Sequence, residues 1–379
     1  MTNPVLRSVK PGSSRRSFLK RGAFAAGAAT MTSSLFEPGL TAFGREDREE
    51  KSGKLTRGDA ALLRFAAAAE ILETDFWVQY NELGGVQDSE VPGGTGNVPY
   101  TNALSMLDTD MAQYIHDNTD DEFTHQNFLN AYLVSKGADP VNLDKFRTLP
   151  GSSATGSSGI LRLTNLMELT IDTSWWTRYR SDSGNPDFGD TFPQAVPTLA
   201  VGKHTAIPRT DADTSDPTFL QAIANTAGFH FPTIEQGGTT LYPAMAQRAT
   251  SVEVLRILIS IGPTETMHFQ TWSDKAGNAP PLTNVVDKVT GVSVTFPDFT
   301  HAGEELKANL IMPEPCPFIS KDLPICSVIR PTETKGIAMG VVKFLTNMGL
   351  FNGQSREFLA VLADLAEDAD EARRGQDHD

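Results

Sequence analysis

Two Glu-x-x-His pairs are the residues of this chain best suited to chemistry: Glu122 with His125, and Glu265 with His268. On a helix, a spacing of three puts both side chains on one face, where a carboxylate and an imidazole can share a metal ion. Stepping by three and four through each pair traces a seam that is otherwise largely apolar or aromatic. One runs Met111, Ile115, Asn118, Glu122, His125, Leu129, Tyr132; the other runs Val254, Leu258, Ile261, Glu265, His268, Trp272. Two more seams carry carboxylates without histidine. The first is Leu63, Ala66, Glu70, Glu73, Trp77, Tyr80, and the second is Leu161, Asn165, Glu168, Asp172, Trp175, Tyr179. Taking an unpaired carboxylate out of water costs on the order of several kcal/mol, settled by protonation, pairing or a metal. No Lys or Arg stands among these acids and imidazoles, so divalent cations are the natural neutraliser. Oxygen and imidazole donors without thiolate suit iron, manganese or zinc and differ from a structural zinc site.

Four segments of helical patterning must position these side chains, at about 56–83, 102–136, 160–181 and 243–275. Thr56 or Asp59 can cap the first, and Gly84-Gly85 stops it. The second ends at Gly137 with Pro140 just beyond, and the third follows a Gly/Ser-rich joint over 151–159. Gly262-Pro263 stands directly before the motif of the fourth. It either kinks the helix and aims Glu265 and His268, or marks a restart that displaces them. Between the third and fourth segments, 182–240 is a long Pro/Asp/Thr-rich connection, a length that usually signals a lid, binding or wrapping role. After Pro280 the pattern predicts a short strand pair over 285–296, a proline-rich stretch over 313–331, and helices over 336–348 and 355–373. An aromatic echo links the seams: Glu70 to Trp77, Asp172 to Tyr179 and Glu265 to Trp272 are each seven apart.

Carboxylate helix, Glu-x-x-His helix, carboxylate helix, Glu-x-x-His helix is the ligand order of di-iron and di-manganese four-helix bundles. The sequence resembles the ferritin-like superfamily, and within it the exported ferritin-like domain proteins that include plant desiccation-related proteins. The resemblance covers about 56–275. It is sharpest at Asp121-Glu122-Phe123-Thr124-His125 with Phe128-Leu129, and at Glu265-Thr266-Met267-His268. It implies a mostly α fold: a four-helix bundle over 55–277 with the long 182–240 connection, then a mixed extension over 278–379 with short strands and two helices. It implies two iron or manganese ions. Glu70 would be the terminal carboxylate of the first helix, Glu122 would bridge with His125 on one metal, and Glu265 and His268 would do the same on the fourth. The third helix departs from the family's usual Glu. Alignment on the aromatic selects Asp172, and Glu168, one turn earlier, is the alternative. The activities implied are ferroxidase-type oxidation of iron(II) or manganese-catalase-type peroxide disproportionation, with dioxygen or peroxide as the small oxidant. The alternatives are metal sequestration without turnover and a structural, stress-protective bundle with a degenerate site.

Plainer readings stand beside these. Thr119-x-x-Glu122 fits a capping box, which would make Glu122 a helix start. Glu73 and Asp75 read as solvent-side or supporting groups, with Glu73 an alternative ligand. His116, His204, His230, His301 and His378 read as surface or loop residues, and Trp77, Trp175, Tyr179 and Trp272 as core filling.

The remaining sequence bounds the setting. Of 379 residues, 39% are hydrophobic, enough for a sizeable core, and the net charge of −15 argues against a nucleic-acid partner. No stretch after residue 45 approaches the roughly 18 apolar residues of a membrane span. Ser14-Arg15-Arg16-Ser17-Phe18-Leu19-Lys20, followed by a weakly apolar run from Gly22 to Phe36, resembles a twin-arginine export signal. Small residues at Ala42 and Gly44 place cleavage after Gly44, making 1–44 a signal peptide whose removal takes the charge to about −20. The twin-arginine translocation machinery is then a partner, and the mature protein is periplasmic or extracellular. In such an oxidising compartment Cys316 and Cys326, ten apart, read as one disulfide.

Overall fold

The computed structural model describes residues 53–375 except 180, 182–183, 186–188, 304–305, 307–313 and 330–335. The expected export signal with Arg15 and Arg16, the cut after Gly44, and His378 lie outside the described residues.

Mostly helical, the fold rests on four long helices. Helix α1 is Arg57–Gly84; Thr56 caps it by accepting a hydrogen bond from the Asp59 amide at 3.0 Å. It ends where Gly84 passes so close to Leu104 that a Cβ there would lie 2.5 Å from the leucine methyl. Helix α2, Val98–Leu104, is a short piece that breaks before α3, Met111–Ser135. The predicted segment 102–136 is thus two helices. Thr119 lies two turns inside α3, where its hydroxyl donates to the Ile115 carbonyl at 2.7 Å, so Glu122 starts no helix.

The third expected helix is the principal correction. Segment 160–181 is irregular apart from the short α4, Ser174–Arg178. Its amides find partners elsewhere: Leu169 bonds His204, Thr170 bonds Met348 and Ile171 bonds Leu199, each through the carbonyl at 2.7–2.8 Å. Buried Asp75 accepts the amides of Leu163 and Thr164 at 3.0 and 2.9 Å. A strand-like course with long-range partners displaces the local helical pattern.

The third bundle helix is instead α5, Pro217–Ala246, which lies mostly inside the segment expected to be a connection and whose end, 243–246, takes the expected start of the fourth helix. Pro217 sits in its first turn and Asp216 caps it, both favourable starts. It continues through Pro232 and Pro243, and most of its residues are buried, so tertiary packing outweighs the backbone bonds the prolines remove. Helix α6, Val252–Ala276, follows after a short turn, capped by Ser251. It passes through Gly262-Pro263 unbroken. A Cβ on Gly262 would lie 2.7 Å from the Tyr242 Cβ, so glycine there permits close approach to α5. Helices α1 and α3 form one packed pair, α5 and α6 the other, around a continuous apolar core.

Beyond the bundle, β1 (Leu282–Val286) and β2 (Ser293–Phe296) pair antiparallel, as do β3 (Glu314–Cys316) and β4 (Cys326–Val328). Helices α7, Ile337–Met348, and α8, Arg356–Glu371, pack against each other; α8 lies on α1 and α7 touches α5. No described helix is long and apolar enough to cross a membrane.

Candidate metal centre

Each long helix contributes a carboxylate at mid-length to one buried centre. Glu70 comes from α1, Glu122 from α3, Glu235 from α5 and Glu265 from α6, and none is more than 1% exposed. The two histidines lie one turn beyond Glu122 and Glu265. His125 Nδ1 is 3.3 Å from Glu70 Oε2, 3.1 Å from Glu122 Oε2 and 3.4 Å from Glu265 Oε1. His268 Nδ1 is 3.4 Å from Glu122 Oε1 and 3.3 Å from Glu235 Oε2.

Two overlapping ligand groups result. Glu70, Glu122, His125 and Glu265 form one; Glu122, Glu235, Glu265 and His268 form the other, with donor atoms in each within 4.8 Å of one another. Donors on a common ion at about 2.1 Å can be up to about 4.2 Å apart, so a small adjustment brings each group to bonding distance. Glu122 and Glu265 belong to both groups and are the natural bridges.

Supporting residues fix these ligands. Asp121 Oδ2 lies 3.0 Å from His268 Nε2, which directs Nδ1 to the centre when Nε2 carries the proton. Asn118 donates to Glu122 Oε1 at 2.8 Å and to Glu235 Oε1 at 3.2 Å, and accepts from the Trp272 indole at 2.7 Å. The Tyr242 hydroxyl donates to Glu70 Oε1. Trp77 and Trp272 stack with ring centres 5.2 Å apart, closing the core on one side.

Burial shapes the protonation of this cluster. It pushes Glu70 up to about 7 against the His125 hydrogen bond, and raises Glu235 as well. Glu265 stands well above the usual carboxylate range, first through burial and then through the charges of Glu122 and Glu70. For Glu122 burial pulls upward too, but hydrogen bonds from His125 and His268 win and hold it below that range. Burial opposes charge on His125, yet its bonds to Glu122 and Glu70 raise it to about 10. His268 is also raised, against burial, by the Glu235 charge and by hydrogen bonds to Asp121 and Glu122.

The donor set fits cations better than protons. Both oxygens of Glu265, Glu235 Oε2 and His268 Nδ1 are buried and lack a hydrogen bond of good geometry among the described residues. Buried polar atoms without partners are costly, and here they belong to residues of the two ligand groups.

Five of the predicted ligands meet: Glu70, Glu122, His125, Glu265 and His268. Asp172 and Glu168 do not. Asp172 is exposed and accepts from the Ser174 amide and Gln194, while Glu168 pairs with Lys203 at 2.6 Å. Glu235 takes their place, within the segment read as a connection. Its signal was present: Glu235 stands seven before Tyr242, the same echo that links Glu70 to Trp77. Glu73 lies beside the cluster without joining either ligand group, and burial raises it well above the carboxylate range.

Among the other histidines, three are buried where surface or loop positions were expected. His230 is a core residue bonded to the Tyr80 hydroxyl at 2.9 Å, and burial lowers it to about 3. His204 accepts a place against the carbonyls of Thr198 and Val201. His116 faces Asp88 and Glu90, a third group away from the bundle ligands that could share an ion. His301 is exposed, as expected.

Four helices with one carboxylate each and two Glu-x-x-His pairs define the class of dinuclear carboxylate bundles. A family model described as a ferritin-like domain matches residues 58–277. That span is more than half of the chain, and the protein belongs to the ferritin-like domain family. No curated protein and no solved structure matches the sequence.

Proposed function

We propose that this protein is an exported di-metal carboxylate protein that holds two iron or manganese ions. The observation that carries the reading is the pair of overlapping buried ligand groups sharing Glu122 and Glu265. When bound, two such ions would supply a site that binds and polarises an oxygen species. Ferroxidase-type oxidation of iron(II) and peroxide disproportionation both use that chemistry.

The chain's own residues have defined parts in this reading. Glu122 and Glu265 would be shared between the two metals; Glu70 and His125 would complete one position, and Glu235 and His268 the other. Asp121 holds the His268 ring by its outer nitrogen, Asn118 orients Glu122 and Glu235 together, and Tyr242 orients Glu70. Apolar walls keep bulk water away from the centre, which strengthens every charge interaction within it.

Near-complete burial of the ligands favours a second reading, retention of metal without turnover. Oxygen and peroxide consumption by the loaded protein separates the two.

Elemental analysis of protein from its own host tests the common part. Two metals per chain are expected, falling to less than one in His125→Ala and His268→Ala. Unchanged metal content in those variants would defeat the assignment. The twin-arginine signal, periplasmic or extracellular location and kinship with desiccation-related proteins belong to the same proposal. They rest on the Arg15-Arg16 motif and on the resemblance around Glu122 and Glu265.

A further inference from the structure

A small cavity lies between α1, α5 and α7. Leu72 and Phe76 of α1, Ile234 and Leu241 of α5, and Phe344 and Leu345 of α7 form most of its wall. Glu73 is the one polar side chain among the described lining residues. The room is about 20 Å³, on the order of one water or one diatomic molecule.

Composition decides what such a space holds. Buried water needs two to four polar partners, roughly, and apolar cavities stay dry while taking up neutral gases. This wall offers one carboxyl group, whose Oε2 is buried and has no hydrogen-bond partner among the described residues. Water is therefore poorly held, and a small neutral apolar molecule is the better occupant.

Position decides what the occupant is for. Gly237 and Gly238 of α5 also line the cavity. A Cβ on Gly238 would lie 2.6 Å from Glu265 Oε2, so the α5 backbone itself touches the bridging carboxylate there. A Cβ on Gly237 would meet nothing within 4 Å. Two adjacent glycines in the middle of a buried helix lower its helical propensity. Here they leave open space on one side and permit contact with Glu265 on the other.

We propose that this cavity is a docking pocket for dioxygen beside the metal centre, opened by Gly237-Gly238 and roofed by α7. Its purpose rests on the di-metal reading, but gas binding itself requires no metal.

Xenon, a polarizable apolar gas, is the probe. Metal-free crystals pressurised with xenon should show an atom against Leu72, Phe76 and Leu241. Gly237→Leu should remove it by filling the space, and Ala69→Leu, from the opposite wall, provides a second variant should the first fold poorly. Both variants should keep two metals per chain. In iron(II) oxidation their KM for dioxygen should rise on the order of tenfold with kcat unchanged, the signature of lost binding alone. An empty pocket in the pressurised wild type would overturn the proposal. So would an unchanged KM for dioxygen in variants that exclude xenon. Xenon in the pocket of a chain that takes up neither iron nor manganese would uphold the gas site and overturn the metal reading.

Discussion

Asn118 shows how much of the centre depends on residues that are not ligands. One amide holds Glu122 and Glu235, from different helices, while its oxygen is fixed by Trp272. Asn118→Ala should lower metal affinity about 10–100-fold, the usual cost of losing an outer partner, with the fold retained. Competition with a chelator measures it, and unchanged affinity would remove Asn118 from the site. Protons compete with metal at these same residues. Glu70 stands near 7 in the folded protein against 4.5 when unexposed surroundings are absent. Its contribution to metal-free stability is complete below the lower value and is lost as pH rises through the higher one. His125, raised from 6.5 to about 10, follows the same sign over a more alkaline window. Metal binding runs the other way, because ligands must be deprotonated. The rise in Tm on adding manganese(II) should therefore be larger at about pH 8 than at about pH 6. An equal or smaller rise at the higher pH would contradict this account of the cluster.

At the scale of elements, the seams explain why α1, α3 and α6 were legible. Each keeps its ligand on an apolar stripe of helical period, and each has a cap or stop that local sequence supplies. Helix α5 was not legible, because Pro232, Gly237, Gly238 and Pro243 read as breakers. Buried on nearly every side, it needs no contrast between a wet and a dry face, and packing against α6 sustains it. Segment 160–181 errs in the opposite direction. Its spacing mimics a helix, but Asp75 on α1 captures its backbone together with Thr164 Oγ1 at 2.7 Å and Arg147 at 2.5 Å. Asp75 thus ties an irregular segment to the bundle. Asp75→Ala would leave those amides and the Thr164 hydroxyl without their acceptor, and Arg147 with Asp144 alone. A loss of about 3–5 kcal/mol is expected, as for other buried charged anchors. Urea denaturation measures it, and the metal content of the folded fraction should not change. A loss below about 1 kcal/mol, the range of surface pairs, would show that the anchor is dispensable.

Across the whole molecule, the proposed export would set the redox state of the two cysteines. In β3–β4, Cys316 and Cys326 are Cα partners directly across the pair, Cys316 buried and Cys326 exposed. The register sets the two residues opposite one another, the placement a disulfide needs. In the proposed oxidising compartment the pair should close. Mass spectrometry of exported protein should show the loss of two hydrogens, and removing both cysteines should cost about 2–3 kcal/mol of stability without changing metal content. Replacing Arg15 and Arg16 by Lys should leave the precursor in the cytoplasm with both thiols reduced. Efficient export of that variant would refute the twin-arginine reading.

By itself the sequence determined three helices' worth of the buried acids and imidazoles, five of the six residues that meet in the candidate centre, and the position of both Glu-x-x-His pairs. It could do so because spacing along one helix fixes which side chains share a face. Only the tertiary structure decided that Glu235 takes the sixth place in the candidate centre, and that Asp172 and Glu168 turn away from it. Which of two distant segments fills the last place in a bundle depends on packing and on hydrogen bonds made across scores of residues. No local period records that choice.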